Sequence, residues 1–305
     1  MMQYRMLGDE YGSLVVVATV STAAIVGFSW LLRKRPVLIN AVFAVVISLA
    51  VFAFSNLVNR SLFETFELLL QMVIGPQHSW NRVYMVAFWL ANVAVSVVFC
   101  VYVTSIGRSS TVHRKFFHLT VSLIYISGIV LDPLFSWLCA WLWLCIFILL
   151  ELLRFLNVPP WGPVLNEHLL IFKDAQDSEL LLTPIYLLVG IFLPLMLSAT
   201  VENPDFEPNL AHFAGVSAVG VGDSMAAIIG SQWGKTKWTG SQKSLEGTLA
   251  MFSGMIVFLF TTNLFIQDSS SIISIICASL IASLLEAYLS IMDNLILPFV
   301  TFMIL

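Results

Sequence analysis

Seven apolar runs, at residues 14–32, 37–57, 83–105, 134–153, 180–198, 248–266 and 271–292, each approach the roughly 20 residues an α-helix needs to cross hydrocarbon. Inside a bilayer the backbone must satisfy its own hydrogen bonds, so only helices and closed barrels span it. None of these runs alternates apolar and polar residues between turns, as barrel strands do. The expected fold class is therefore all-α, a polytopic integral membrane helical bundle. Runs 116–131 and 295–305 are short for a span, and 211–230 is long enough but rich in Gly, Ser and Ala. About nine or ten transmembrane helices are expected in all. Composition excludes a soluble globule: 59% of the 305 residues are hydrophobic and only 10% charged, against roughly 25% charged in soluble domains.

The basic residues orient the bundle, because Lys and Arg gather on the cytoplasmic side. If the spans alternate and Arg33, Lys34 and Arg35 are cytosolic, then Arg108, Arg114, Lys115, Arg154, Lys173, Lys235, Lys237 and Lys243 follow. Eleven of the fourteen basic residues then share one side, with Arg5, Arg60 and Arg82 opposite. The acidic loop of Glu202, Asp205 and Glu207 falls on the far side. The first run is followed by three basic residues and reads as a stop-transfer span, not a cleaved leader. The Asn59-Arg60-Ser61 sequon lies so close to the second span that it is expected to stay unmodified. Cys100, Cys139, Cys145 and Cys277 lie in apolar runs without metal-ligand spacing and read as small buried hydrophobes. Residues 1–112 hold about three spans with few polar groups, while 113–305 form a second region whose ionisable residues recur at cytosolic helix ends.

Polar groups at membrane depth are costly, so each is a functional candidate. Gly220-Val221-Gly222-Asp223-Ser224 combines two glycines, which permit close backbone approach, with a carboxylate that lacks a basic neighbour in sequence. Magnesium on nucleotide phosphates would satisfy Asp223, since this ion takes one or two carboxylates plus phosphate oxygens. The alternative is that the glycines only allow tight helix packing. A lysine-bearing, glycine-rich loop follows, with Gly230, Gly234, Lys235, Thr236 and Lys237 leading to Lys243-Ser244-Leu245-Glu246-Gly247-Thr248 at a helix start. Such a loop offers phosphates backbone N–H groups and a helix N-terminus. Lys243 supplies a point charge and Glu246 a second metal ligand or an acceptor-orienting group, while Lys237 reads mainly as a topology charge. The stretch from Gly230 to Thr236 is one residue short of a P-loop and follows a helix, so it is not one. Arg114, Lys115 and His118 stand at the mouth of the short fourth run. Glu151 and Arg154 read as a local ion pair, and Asp174 and Asp177 share a face if their loop is helical. Glu286 and Asp293, seven apart, would share one face of the 271–292 span, with Asn294 beside them. His78, His113, His168 and His212 carry no specific signal.

Three pieces together resemble the dolichol kinase family, within the wider group of CTP-dependent polyprenol and phytol kinases. They are Arg114-Lys115-Phe116-Phe117-His118-Leu119, the Gly220–Ser224 element with the loop to Lys243–Thr248, and Leu285-Glu286-Ala287-Tyr288 with Asp293-Asn294. The likeness spans about residues 113–298, and its glycine–aspartate and Lys-x-x-Glu-Gly-Thr elements are specific only in combination. Ser224 replaces an expected threonine, and Ser244-Leu245 a familiar Thr-Phe. The resemblance implies an endoplasmic-reticulum enzyme that makes dolichyl phosphate for protein glycosylation, with its CTP site on the cytosolic face. It implies catalytic roles for Asp223, Lys243 and Glu246, with Asp223 and Glu246 on magnesium or another divalent cation. It also implies nucleotide contacts from Gly220, Gly222, Ser224, Gly230, Gly234, Lys235, Ser244, Gly247, Thr248, Arg114, Lys115 and His118. Expected partners are CTP, dolichol or another polyprenol, and membrane lipid, with no nucleic acid.

Three other classes compete on the residues alone. A CTP-dependent phospholipid cytidylyltransferase would release pyrophosphate where a kinase releases CDP. An intramembrane aspartyl protease shares Gly220-x-Gly222-Asp223 but needs a second deep aspartate and a Pro-Ala-Leu element, which this sequence lacks. A transporter also uses glycine-broken helices, but no inverted repeat is visible.

Overall fold

The computed structural model describes residues 2–74, 80–173, 177, 179–198, 206–268, 270–289 and 291–305, with side chains from residue 8 onward. His78, Asp174, Glu202 and Asp205 lie outside the described residues, so the expectations resting on them find no counterpart here. The elements are α1 (Met2–Leu31), α2 (Pro36–Leu57), α3 (Leu62–Ile74), α4 (Trp80–Ile106), α5 (Thr111–Leu131), α6 (Pro133–Phe155), α7 (Trp161–Leu169) and α8 (Thr183–Leu197). A π-helix (Val216–Asp223) then runs directly into α9 (Ser224–Trp233), followed by α10 (Leu245–Ile266), α11 (Ile272–Tyr288) and α12 (Asp293–Ile304). Among the described residues seven helical segments are long and apolar enough to cross a membrane, and α8, α11 and α12 are shorter apolar helices. The all-helical, multi-pass character expected from the apolar runs is what the described residues form.

Local chemistry sets the helix ends. Ser110 caps α5: its Oγ accepts from the His113 N–H at 3.2 Å while His113 Nδ1 accepts from the Ser110 N–H at 3.3 Å. This cap starts α5 five residues before the apolar run 116–131, so the helix reaches 21 residues and is not short. The added turn holds Arg114 and Lys115, which hydropathy cannot count. Asp132 accepts from the Phe135 N–H at 3.0 Å and, with Pro133, opens α6.

Two expectations are corrected. The 271–292 run is not one helix: α11 ends at Tyr288, Met292 turns the chain with a φ of 54°, and α12 restarts at Asp293. Glu286 and Asp293 therefore come from two helices, not from one face of one span. The amphipathic α3 packs Thr65, Leu68 and Met72 inward and has no counterpart among the expected spans.

The π-helix occupies the centre of the largest apolar cluster, with Val216, Ala218 and Val219 packed beside Tyr125 of α5, Ile191 of α8, Met251 and Met255 of α10 and Leu297 of α12. A second cluster joins α1, α3 and α4 to α6 through Tyr11, Met72, Trp89 and Phe135. Beside it, at the end of α5 opposite Lys115, lies a buried charge network. Arg82 donates to Asp132 at 2.6 Å, to the Met72 carbonyl at 2.8 Å and to the Tyr11 hydroxyl at 3.3 Å, and its guanidinium lies over the Phe135 ring.

Candidate active site

Polar groups from six helices meet at one end of the bundle, around a cavity of about 370 Å³. Each enters from a helix terminus, where the chain can change direction without leaving backbone groups unpaired in lipid. The start of α5 contributes Thr111, Arg114, Lys115 and His118; the π-helix and α9 contribute Asp223, Ala226, Ala227, Gly230 and Ser231. The end of α11 and start of α12 add Glu286, Leu289, Asp293 and Asn294, and the first residue of α8 adds Thr183. On the alternation of spans set out above, this is the end that carries most of the basic residues.

Asp223 closes the π-helix and is 4% exposed. π-Bulges recur at functional sites because they shift the side-chain register, and here the glycines let the segment wedge between two helices. A Cβ on Gly220 would press on Ser122 of α5, and one on Gly222 would lie 2.9 Å from Met255 Cγ of α10. Asp223 Oδ2 ion-pairs with Lys115 and lies 3.4 Å from His118 Nε2. His118 Nδ1 donates to the Arg114 carbonyl at 3.1 Å, and its Nε2 is 3.1 Å from Asn294 Oδ1. The buried His118 is thus held on both nitrogens and ties α5 to α12.

Between α9 and α10 the chain forms a short hairpin. The Leu245 N–H donates to the Thr236 carbonyl at 2.8 Å, the Trp238 N–H donates to the Lys243 carbonyl at 3.1 Å, and Gly240 turns the tip with a φ of 78°. The hairpin presents Lys237, Gln242 and Lys243 to the cavity. Lys243 Nζ lies 2.6 Å from Glu286 Oε1, and Glu286 is 5% exposed. Ser244 caps α10 by accepting from the Gly247 N–H at 3.2 Å. Gly230 and Gly247 bring α9 against the start of α10, where a Cβ on Gly247 would stand 2.9 Å from the Ala226 carbonyl oxygen.

Of the residues expected at the site, Asp223, Lys243, Arg114, Lys115, His118, Gly230, Ser244 and Gly247 line the cavity. The others do not. The Glu246 carboxylate turns back to accept from the Thr236 N–H at 3.0 and 3.2 Å, bracing the hairpin, and is not among the residues that line the cavity. Gly220 and Gly222 pack helices, and Gly234 fits against Ser244, with a Cβ there only 2.7 Å from Ser244 Cβ. The Ser224 hydroxyl donates to the Val219 carbonyl at 3.3 Å. Thr248 is buried beneath the hairpin and accepts from Trp238 Nε1 at 2.9 Å. Lys235 is exposed outside the lining. Lys237, expected to serve topology, faces the cavity, as do Thr111, Thr183, Ser231 and Gln242, which carry no sequence signal of their own. The Glu151–Arg154 pair stands elsewhere as a clamp: Arg154 donates to both Glu151 oxygens, at 2.6 and 2.7 Å, and to the Glu179 carbonyl at 2.6 Å.

The site therefore combines four cationic side chains (Arg114, Lys115, Lys237, Lys243) with three carboxylates (Asp223, Glu286, Asp293). The donor chemistry suits magnesium, a hard cation that takes oxygen ligands. Among the described residues no three of His, Cys, Asp and Glu converge as a metal cage. One or two carboxylates, Asp223 first, would hold such an ion and leave its other positions to phosphate and water.

A family model described as dolichol kinase matches residues 8–203. This chain belongs to the dolichol kinase family. It is 36% identical over 237 residues to the dolichol kinase of Bos taurus, covering 72% of this chain and 44% of that protein. Dolichol kinase EVAN of Arabidopsis thaliana is 30% identical over 236 residues, 74% of this chain and 40% of the relative. Dolichol kinase sec59 of Schizosaccharomyces pombe is 29% identical over 243 residues, 75% and 48% respectively. The chain thus spans less than half the length of these relatives. No solved structure matches it. The family-model match includes Arg114, Lys115 and His118 and stops short of Asp223.

Proposed function

We propose that this protein is a lipid kinase that transfers the terminal phosphate of CTP to dolichol or a similar polyprenol, giving dolichyl phosphate and CDP. We assign the reaction to the cytosolic face of the endoplasmic reticulum membrane. The observation that carries this reading is the cavity in which four cations and three carboxylates meet at the ends of apolar helices. Phosphoryl transfer asks an enzyme mainly for positioning and for charge neutralisation, and these residues offer both. A lysine ammonium has three donors, so Lys115 and Lys243 can turn to phosphate oxygens while staying near Asp223 and Glu286. Arg114 offers phosphate a planar, bidentate fork. Magnesium, when bound, would neutralise charge on the donor phosphates. The hairpin fixes Lys243 against the start of α10, with Glu246 bracing its far strand. The surrounding apolar helices suit the isoprenoid chain, whose hydroxyl needs only to reach the polar end of the bundle. The choice of CTP as donor rests on the family resemblance.

The test uses purified protein with dolichol, magnesium and CTP, followed by product analysis. CDP and dolichyl phosphate should form in equal amounts. Release of pyrophosphate with cytidylyl transfer to a lipid would contradict the kinase reading and favour a cytidylyltransferase.

A further inference from the structure

The proposed reaction needs a group to receive the proton of the acceptor alcohol, and the three cavity carboxylates are not equivalent. Asp223 is held by Lys115 and faced by His118. Glu286 is held by Lys243 at 2.6 Å. Glu246 is outside the cavity, bound to the Thr236 N–H. Asp293 differs from all of these. One of its oxygens accepts from the Asn294 N–H at 2.8 Å, and no cation among the described residues pairs with it. It lines the cavity from the first position of α12, while its neighbour Asn294 is buried against His118.

Leu289 is the one large apolar side chain of the lining among the described residues, and it comes from the same α11–α12 connection as Asp293. The cations come from α5 and the hairpin. An isoprenoid alcohol entering beside Leu289 would meet Asp293, and Lys115 and Lys243 would be free to face the donor phosphates.

Resting on the kinase reading above, we propose that Asp293 is the catalytic base of the reaction. Its free carboxylate oxygen accepts the proton as the alcohol O–H bond breaks. The alcohol oxygen bonds to the terminal phosphorus of CTP, and the bridging P–O bond to the β-phosphate breaks with its electrons leaving on CDP. The two lysine-paired carboxylates stay charged and hold the cations in place. The charged and titratable groups that line the cavity around Asp293 are Arg114, Lys115 and His118 of α5, Asp223 of the π-helix, Lys237 and Lys243 of the hairpin and Glu286 of α11.

Asp293→Asn and Asp293→Ser both keep an oxygen for the Asn294 N–H, so CTP affinity reports whether the site is still formed. With CTP and a short polyprenol at saturation, each variant should lose roughly 10²-fold in kcat with CTP affinity unchanged. The loss should shrink by about tenfold with an analogue carrying fluorine beside the hydroxyl carbon, because a more acidic alcohol needs its base less. Turnover within about threefold of wild type, or an equal loss with both acceptors, overturns the assignment of Asp293 as base. Wild-type protein that makes no dolichyl phosphate overturns the kinase reading itself and this inference with it.

Discussion

On the proposed kinase reading, Asp223→Asn is expected to lower phosphate transfer to dolichol by roughly 10²–10³ at saturating CTP and magnesium, a loss of about 3–4 kcal/mol of transition-state stabilisation. The substitution keeps the size of the side chain and removes the charge that would draw the metal to the phosphates. It also leaves Lys115, paired with Asp223 in the native protein, without its partner in a site where both groups are nearly buried. Removing one member of a buried pair costs about 3–5 kcal/mol of stability, whereas removing both is often close to neutral. The single variant is therefore expected to be both less stable and less active. Asp223→Asn combined with Lys115→Met should recover much of the thermal stability in detergent and none of the turnover. If the double variant regained activity along with stability, Asp223 would be a folding group only.

Arg82→Met is expected to be the most destabilising substitution away from the cavity, by about 3–5 kcal/mol. Arg82 is 5% exposed and satisfies Asp132, the Met72 carbonyl and the Tyr11 hydroxyl at once. Methionine fills a similar volume but leaves a charged carboxylate and a carbonyl without their donor. Adding Asp132→Asn, which keeps the cap on α6 through its remaining oxygen, should return part of the lost stability. Asp132 lies roughly 25 Å along α5 from Lys115, so kcat per folded molecule should stay at the wild-type level. Thermal unfolding followed in detergent measures the first effect, and turnover normalised to folded protein the second. A wild-type unfolding midpoint for Arg82→Met would mean the network holds nothing together.

What the sequence reveals follows from the range of the forces involved. Membrane spans depend on local hydropathy, so the runs at 14–32, 37–57, 83–105, 134–153 and 248–266 correspond closely to α1, α2, α4, α6 and α10. Where a polar cap or turn intervenes, hydropathy misleads. Ser110 and His113 lengthen α5 through charged residues, and the left-handed Met292 splits one apolar run into α11 and α12. At the site, Asp223, Lys115 and Lys243 stand out because charge is scarce in this chain. Which of them pair does not, since the pairing of Asp223 with a residue 108 positions away depends on how α5 packs against the π-helix. Glu246 shows how a local contact can set a side chain's direction. It lies three residues from Lys243 in the most recognisable motif, yet a local backbone bond to Thr236 turns its carboxylate away from the cavity.

Mapping where the terminal phosphate of CTP would rest tests the proposed function most directly. A CTP analogue with a photoreactive group on its terminal phosphate, irradiated on the purified full chain with magnesium, should label two segments. They are the hairpin around Lys237–Lys243 and the first turns of α5 around Arg114–His118, and excess unmodified CTP should suppress both. Labelling that CTP suppresses but that falls at the opposite end of the bundle, near Arg82 and Asp132, with the hairpin unmarked, would contradict it.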